Sequence, residues 1–284
     1  QSSRRGYLTD LFTDEAVRFI TQEEKPDASP WFLYLAFNAP HTPMQASEEW
    51  LSRVPDIPDK TRRIYAAMVT AMDDGIGRVL DSLQRSGQKE NTLVFFFSDN
   101  GGITPVNAAS NAPFRGLKGT LLEGGIRVPY LVSWPGTLPK GGICDFPVMT
   151  FDAWATALAA ARTHPLDTSI RRDSVNLLPY LREPMSSGPD RPLFWRMGNG
   201  FQLAVRSGHH KLLRIEGLPD RVFDLTIDID ETRPHRTVKQ QTELRLALEA
   251  WNAELPDTDF TSTGLRHREQ WEAVGLNQAP DRKN

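Results

Sequence analysis

Apolar residues in the first half of the chain form helical patterns and continuous runs. The segment Thr61–Arg85 repeats them every three or four residues, which predicts a long amphipathic helix, and a shorter helix is predicted over Glu15–Gln22. The runs Trp31–Phe37 and Thr92–Phe97 are continuously apolar, a pattern typical of strands buried on both faces, and Val128–Trp134 is a third strand candidate. A strand, a long helix and a strand in this order predict an α/β fold with a largely parallel sheet.

The second half of the chain consists of short apolar runs separated by turn residues. They predict an antiparallel sheet with strands at Leu193–Met197, Phe201–Arg206, Lys211–Ile215 and Val222–Asp224. A last helix is predicted over Thr237–Leu255. We therefore expect three segments: α/β structure over 1–188, a small subdomain of antiparallel sheet plus helix over 189–256, and a polar tail over 257–284.

Composition and charge exclude some classes of partner. A chain of 284 residues with 39% hydrophobic and 24% charged residues is expected to fold. A net charge of −3 without a long basic block gives no reason to expect binding to nucleic acid. No apolar run approaches the roughly 20 residues that span a bilayer. The single cysteine, Cys144, excludes an intrachain disulfide and a cysteine-rich zinc site.

Polar side chains with metal-binding or catalytic potential follow two of the predicted strands. Asp99 and Asn100 precede two glycines, and their oxygens suit calcium or magnesium, although both are also common turn residues. His41 lies between two prolines at the end of the first apolar run. Since ligand groups in parallel sheets gather beyond the carboxyl ends of strands, the two sites are expected to share one crevice. A structural or merely exposed histidine remains the alternative for His41.

A glycine-rich segment surrounds Lys118. Glycines at 116, 119, 124 and 125 let the backbone approach a ligand closely, while Lys118 brings a positive charge that suits an anion. A solvated loop lysine is the alternative. Asp73 and Asp74 are adjacent on the long helix and point about 100° apart, so they do not converge as a catalytic pair. The sequence contains no Gly-x-Ser-x-Gly motif, which argues against a serine hydrolase of that kind.

A resemblance to a known family is carried by six segments: Phe37–Pro43, Met72–Gly77, Phe97–Gly102, Arg115–Pro129, Ala204–Leu213 and Val222–Glu231. Taken in order, they resemble segments of type I sulfatases, which use a formylglycine nucleophile and belong to the alkaline phosphatase-like superfamily. The similarity runs from about Gly6 to Thr232. It implies an alkaline phosphatase-like α/β fold with a small C-terminal subdomain, and hydrolysis of sulfate esters around a calcium ion, with magnesium a weaker candidate.

The resemblance assigns roles to four residues. Asp99 and Asn100 match the metal-binding pair, Lys118 matches the lysine that contacts sulfate, and His41 matches a histidine that contacts the sulfate or the departing oxygen. The substrate is then expected to be a sulfated small molecule or glycan, with a carbohydrate sulfate favoured. The family also implies a periplasmic or secreted location.

The nucleophile of the family has no match here. Formylglycine is made from the cysteine of Cys-x-Pro-x-Arg, and the residues after Cys144 do not fit that motif. The upstream acidic metal ligands are also missing, so we expect them and the nucleophile to lie in an N-terminal portion outside this chain, which by itself is predicted to be inactive. Two alternatives remain: a non-catalytic remnant that binds sulfated glycans, and a phosphatase or phosphodiesterase. Asn100 in place of histidine disfavours the two-zinc site of the latter.

Overall fold

The computed structural model describes residues 4–22, 29–165, 167–183, 187–198, 200–234 and 238–256. These residues form two compact units. The first contains residues 1–94, 103–109 and 133–138, and the second contains residues 95–102, 110–132 and 139–284, each within the described ranges. The predicted segment boundaries at residues 188 and 256 remain a prediction, and the predicted tail lies outside the described residues.

The first unit is helical. The long predicted helix is confirmed as α3, and it begins after Asp59, whose carboxylate accepts a hydrogen bond from the Arg62 N–H at 2.7 Å. The shorter predicted helix is confirmed as part of α1, which begins earlier than expected. The helices are α1 (Leu8–Thr21), α2 (Glu48–Ser52), α3 (Lys60–Arg85) and α4 (Thr104–Asn107), with a 3₁₀ turn at Lys89–Asn91.

Small residues allow α1 and α3 to pack closely. A Cβ atom on Gly75 of α3 would lie 2.3 Å from the Thr13 hydroxyl of α1, so only glycine fits there. Thr13 is fully buried and donates its hydroxyl to the Thr9 carbonyl. Ala67 and Ala71 of the same long helix are buried against Trp50 of α2. These contacts form the core of the first unit.

The prediction of a strand buried on both faces at Trp31–Phe37 is wrong. The structure has no regular strand there, and the side chains alternate between half-buried and exposed. Phe32 is 78% exposed and Tyr34 is 75% exposed. Trp31, on the other face, packs edge-on against Phe19, with ring centroids 5.7 Å apart. A continuous apolar run therefore does not show that both faces are covered within the chain.

Two sheets occur among the described residues, and apart from Val94 and Ser133 their strands belong to the second unit. β1 (Val94–Phe97) and β2 (Tyr130–Ser133) pair in a two-stranded sheet, in which Phe97 stacks on Tyr130 at 5.3 Å. Phe96 is 38% exposed, so the expected burial of this run on both faces is also wrong. The helices of this unit are α5 (Glu123–Ile126), α6 (Asp152–Ala160), α7 (Leu178–Arg182) and α8 (Val238–Ala253).

The predicted antiparallel sheet is confirmed in strand order β3–β4–β5–β6. Its strands are β3 (Leu193–Met197), β4 (Gln202–Ser207), β5 (His210–Ile215) and β6 (Arg221–Asp224). Alternate residues point to opposite faces. On one face Leu213 packs with Leu121 and Leu122, and on the other face Leu212 packs with Leu244 and Leu248 of α8. The sheet therefore holds α8 on one side and the residues just before α5 on the other.

Among the described helices, none combines the length and the apolar character that crossing a bilayer requires.

Candidate functional site

The loop after β1 carries Asp99 and Asn100 at the point where the strand ends. Asp99 is exposed and Asn100 is half-buried. The side-chain nitrogen of Asn100 donates to the Gly101 carbonyl at 3.0 Å, and the Ser98 hydroxyl donates to the Asn100 carbonyl at 3.0 Å. Because its nitrogen is engaged with Gly101, the amide presents its oxygen as the group that a cation would take.

Asn111 connects this loop to the loop that carries Lys118. Its side-chain oxygen accepts from the Gly102 N–H at 2.9 Å, and its nitrogen donates to the carbonyls of Gly102 at 2.9 Å and Gly116 at 3.0 Å. The Lys118 N–H also donates to the Gly102 carbonyl, at 3.2 Å. The structure thus brings the Asp99–Asn100 loop and the Lys118 loop together through Gly102. The sequence alone gives no sign of this role of Asn111, whose partners are backbone groups.

The glycines on either side of Lys118 are required by the backbone conformation, in addition to the close approach of a ligand that the sequence predicts. Gly116 has φ +100° and Gly119 has φ +90°, a region that side chains strongly disfavour. Between them Leu117 is buried, and its N–H and carbonyl are both bonded to the Thr120 hydroxyl. Lys118 itself is half-buried. The loop is therefore a tightly closed turn, anchored by Leu117, that carries the lysine.

The Asp99–Asn100 loop lies directly on α5. The Gly101 N–H donates to the Gly125 carbonyl at 3.0 Å, and a Cβ atom on Gly101 would lie 1.8 Å from the Gly124 carbonyl oxygen. A Cβ atom on Gly124 would in turn lie 2.6 Å from the Arg115 and Gly116 carbonyl oxygens. Because these glycines have no side chain, the backbone of the Asp99–Asn100 loop packs directly against the backbone of α5.

His41 belongs to the first unit, whereas Asp99, Asn100 and Lys118 belong to the second. The histidine is exposed and lies between two cis peptide bonds, Ala39-Pro40 and Thr42-Pro43. Its Nδ1 lies 2.6 Å from the Thr42 carbonyl oxygen. Because a carbonyl only accepts hydrogen bonds, Nδ1 is the protonated nitrogen, and a neutral ring has its lone pair on Nε2. The expected placement of His41 and the Asp99–Asn100 pair in one crevice remains a prediction.

The ligand atoms that Asp99 and Asn100 offer are of the type that calcium binds, but they are too few to complete a calcium site. Asp99 supplies a carboxylate and Asn100 an amide oxygen, both hard ligands, but calcium takes about six to eight oxygens. In the described part of the chain, no group of three or more His, Cys, Asp or Glu residues could hold a metal ion. Asp99 and Asn100 can therefore form only part of such a site.

A buried cluster of charges lies at the start of α5, and the sequence alone gives no sign of it. The Lys211 ammonium lies 2.9 Å from a carboxylate oxygen of Glu123 and 2.9 Å from one of Glu231, and all three residues are almost completely buried. Arg206 also pairs with Glu123, at 3.1 Å. Charged residues are rarely buried without partners, and only their neighbours in the fold reveal the pairing.

The pKa values of the two carboxyl groups in this cluster are shifted in opposite directions. Burial disfavours the charge of Glu123, but the positive charges of Lys211 and Arg206 outweigh that effect and hold its pKa below the usual range. Burial raises the pKa of Glu231, and Lys211 only partly offsets this because the charge of Glu123 adds to it. Glu123 is therefore the carboxylate that the surrounding cations stabilise most.

The chain is similar in sequence to known sulfatases. A family model described as Sulfatase matches residues 1–163. An N-acetylgalactosamine-6-sulfatase of Mus musculus is 36% identical over 207 residues, which cover 72% of this chain and 38% of that protein. The uncharacterized sulfatase YdeN of Escherichia coli strain K12 is 33% identical over 193 residues, covering 67% of this chain and 34% of that protein. The chain therefore spans less than half the length of these relatives.

Solved structures share the fold. The crystal structure of Ps i-CgsB in complex with k-i-k-neocarrahexaose superposes with a TM-score of 0.82 at 31% identity, covering 98% of this chain and 62% of that chain. A sulfatase structure, PsFucS1 from Pseudoalteromonas sp., superposes with a TM-score of 0.73 at 22% identity. The expected mixed α/β fold with an antiparallel C-terminal sheet is thus confirmed.

Proposed function

Because the chain belongs to the sulfatase family, we propose that it carries the cation- and sulfate-binding part of a sulfuric ester hydrolase that removes sulfate from a sulfated carbohydrate. Asp99 and Asn100 are the proposed calcium ligands, and Lys118 and His41 the proposed sulfate contacts. The observation that carries the proposal is the Asn111 contact, which bonds the Asp99–Asn100 loop to the Lys118 loop through Gly102.

Each residue has a chemical task in sulfate ester cleavage. Negative charge spreads over the sulfuryl oxygens in the transition state, and the Lys118 ammonium stabilises it by donating to one of them. A calcium ion bound through Asp99 and Asn100 would supply further positive charge. With Nδ1 bonded to the Thr42 carbonyl, a protonated His41 donates from Nε2 to the departing ester oxygen.

The nucleophile is proposed to lie outside this chain, as a formylglycine in an N-terminal portion of the same protein. Cys144 is a poor substitute because burial, and then the nearby Asp145 charge, raise the pKa of its thiol and disfavour the thiolate. The chain spans 38% of the mouse relative and 62% of the superposed crystal structure, which leaves room in both for such a portion. The same portion would complete the calcium site. A periplasmic or secreted location is proposed from the family.

The proposed substrate class follows the relatives. One is named for N-acetylgalactosamine 6-sulfate, and the superposed crystal structure holds a neocarrahexaose. Both compounds are carbohydrates, so a sulfated sugar is the preferred substrate for this chain's protein. The shared pocket does not select among sugars, because specificity depends on the surrounding loops.

A substrate screen with metal exchange tests the proposal. The longer protein that includes an N-terminal portion is assayed against aryl sulfates, sulfated glycans and an aryl phosphate. We expect sulfate release that EDTA abolishes and that added Ca²⁺ restores, whereas Zn²⁺ does not, because the proposed donors are hard oxygens. The family resemblance implies Ca²⁺ rather than Mg²⁺ as the more effective of the two hard cations. Cleavage of the phosphate alone with two bound zinc ions would support a phosphatase instead. Binding of a sulfated glycan without turnover would support the non-catalytic alternative.

A further inference from the structure

We propose that the buried cluster of Lys211, Glu123 and Glu231 is a positioning element that sets the loops of Lys118 and Asp99–Asn100 in their working geometry. Its effect on catalysis rests on the proposed sulfatase function. The three residues do not touch the reacting groups. They act through α5, on which the Asp99–Asn100 loop lies.

The cluster joins three separate parts of the second unit. Lys211 lies on β5, Glu231 follows β6, and Glu123 is the first residue of α5. The Glu123 N–H also donates to a carboxylate oxygen of Glu231 at 2.6 Å. The Lys211 ammonium donates a hydrogen bond to Glu123 and forms an ion pair with Glu231, both at 2.9 Å, and removing it leaves buried negative charge with less compensation. The start of α5 is thereby bound to the sheet by directional contacts.

A short chain of backbone contacts leads from the cluster to the candidate site. Glu123 is followed by Gly124 and Gly125, and the Gly125 carbonyl accepts from the Gly101 N–H beside Asn100. The Gly124 N–H donates to the Arg115 carbonyl at 2.7 Å, while the Arg115 guanidinium donates to the Glu231 carbonyl at 3.1 Å. A shift of Glu123 would therefore move both loops that carry the proposed ligands.

Two hydrogen bonds from another strand of the same sheet also hold the Lys118 loop. Gln202 of β4 is fully buried; its oxygen accepts from the Leu121 N–H at 3.1 Å and its nitrogen donates to the Gly119 carbonyl at 3.0 Å. The Lys118 loop is thus bonded to the sheet at two points. Gln202 bonds to it at Gly119, and Lys211 bonds to Glu123, where α5 begins. The apolar packing of Leu121 and Leu122 would allow the segment before α5 to shift slightly along the sheet. The paired charges require one position of that segment.

The test begins with the chain itself and requires no activity. In Lys211→Met, hydrogen exchange should become faster by about 10-fold or more in peptides covering residues 99–102 and 115–126. The matched control is Asp220→Asn, which weakens ion pairs with Arg214 and Arg245 on the face of β5 that packs on α8. It should leave those peptides unchanged. Faster exchange confined to residues near 211 and 231, with the 99–102 peptide as in the wild type, would overturn the proposal.

Kinetics of the longer protein separate positioning from stability. At a temperature where circular dichroism shows every variant folded, Lys211→Met should lower kcat for an aryl sulfate by roughly 10- to 100-fold, with a smaller change in KM. Adding Glu231→Gln removes the uncompensated charge and should restore much of the lost Tm without restoring kcat. If kcat recovers together with Tm, the cluster is structural only. If the wild type cleaves no sulfate ester, the proposed function fails while the exchange experiment still decides the positioning.

Discussion

Replacing Lys118 with alanine in the longer protein should lower kcat/KM for sulfate esters by about 10²- to 10³-fold. The half-buried lysine is carried by a closed turn between Gly116 and Gly119, so the backbone that presents its charge has a defined conformation. The loss should appear mainly in kcat, because the sulfuryl charge that Lys118 is proposed to stabilise grows in the transition state. Steady-state kinetics with an aryl sulfate measure it.

Lys140→Ala is the matched control for this variant. Lys140 is an exposed lysine in the same unit and has no proposed role, so its removal should leave both kinetic constants unchanged. Equal losses in the two variants would indicate a general effect of net charge. A Lys118→Ala variant with wild-type kcat/KM would contradict the assignment of Lys118 to the sulfate.

Replacing Gly101 with alanine should destabilise the second unit by about 3 kcal/mol, near the upper end of the range for overpacked sites. The new methyl group would lie 1.8 Å from the Gly124 carbonyl oxygen and 3.2 Å from the Gly125 Cα, and backbone atoms cannot rotate away as a side chain would. The loop must therefore lift from α5 and lose the bond between the Gly101 N–H and the Gly125 carbonyl. Urea unfolding of the chain measures the loss.

Gly77→Ala gives the opposite sign and serves as the control. Gly77 lies within α3, and a Cβ atom there would meet nothing within 4 Å. Alanine should stabilise that helix by about 0.5 to 1 kcal/mol, because glycine loses more backbone entropy on folding. Unchanged stability in Gly101→Ala would show that the loop does not rest on α5 as described.

The local pattern of the sequence was sufficient to predict the C-terminal sheet. Its strands are short apolar runs separated by turn residues, and these turn residues predict bounds close to those of the structure, as at Leu193–Met197. The same reasoning failed at Trp31–Phe37, because a continuous apolar run does not say which neighbours cover each face. Phe32 and Tyr34 are exposed in the structure. Coverage depends on contacts distant in sequence, which the local pattern does not contain.

The candidate site was predictable only in part. The resemblance assigned roles to Asp99, Asn100 and Lys118, which stay predictions, and the structure brings the loops that carry these residues together. The residues that hold those loops were missed, because Asn111 resembles an ordinary loop residue and Lys211 an ordinary charged residue in a strand. Their roles depend on partners such as Gly102 and Glu123 that lie far away in sequence. His41 stays a prediction, since it belongs to the other unit.

The central claim is that this chain binds the cation and the sulfate while the attacking group comes from elsewhere in the protein. Side-by-side assays of the 284-residue chain and of the longer protein, on the same aryl sulfate with calcium present, test it most directly. We expect turnover by the longer protein and none above background by the chain. Calcium-dependent turnover by the chain alone, at a rate near that of the longer protein, would contradict the claim because it would place the nucleophile among these residues.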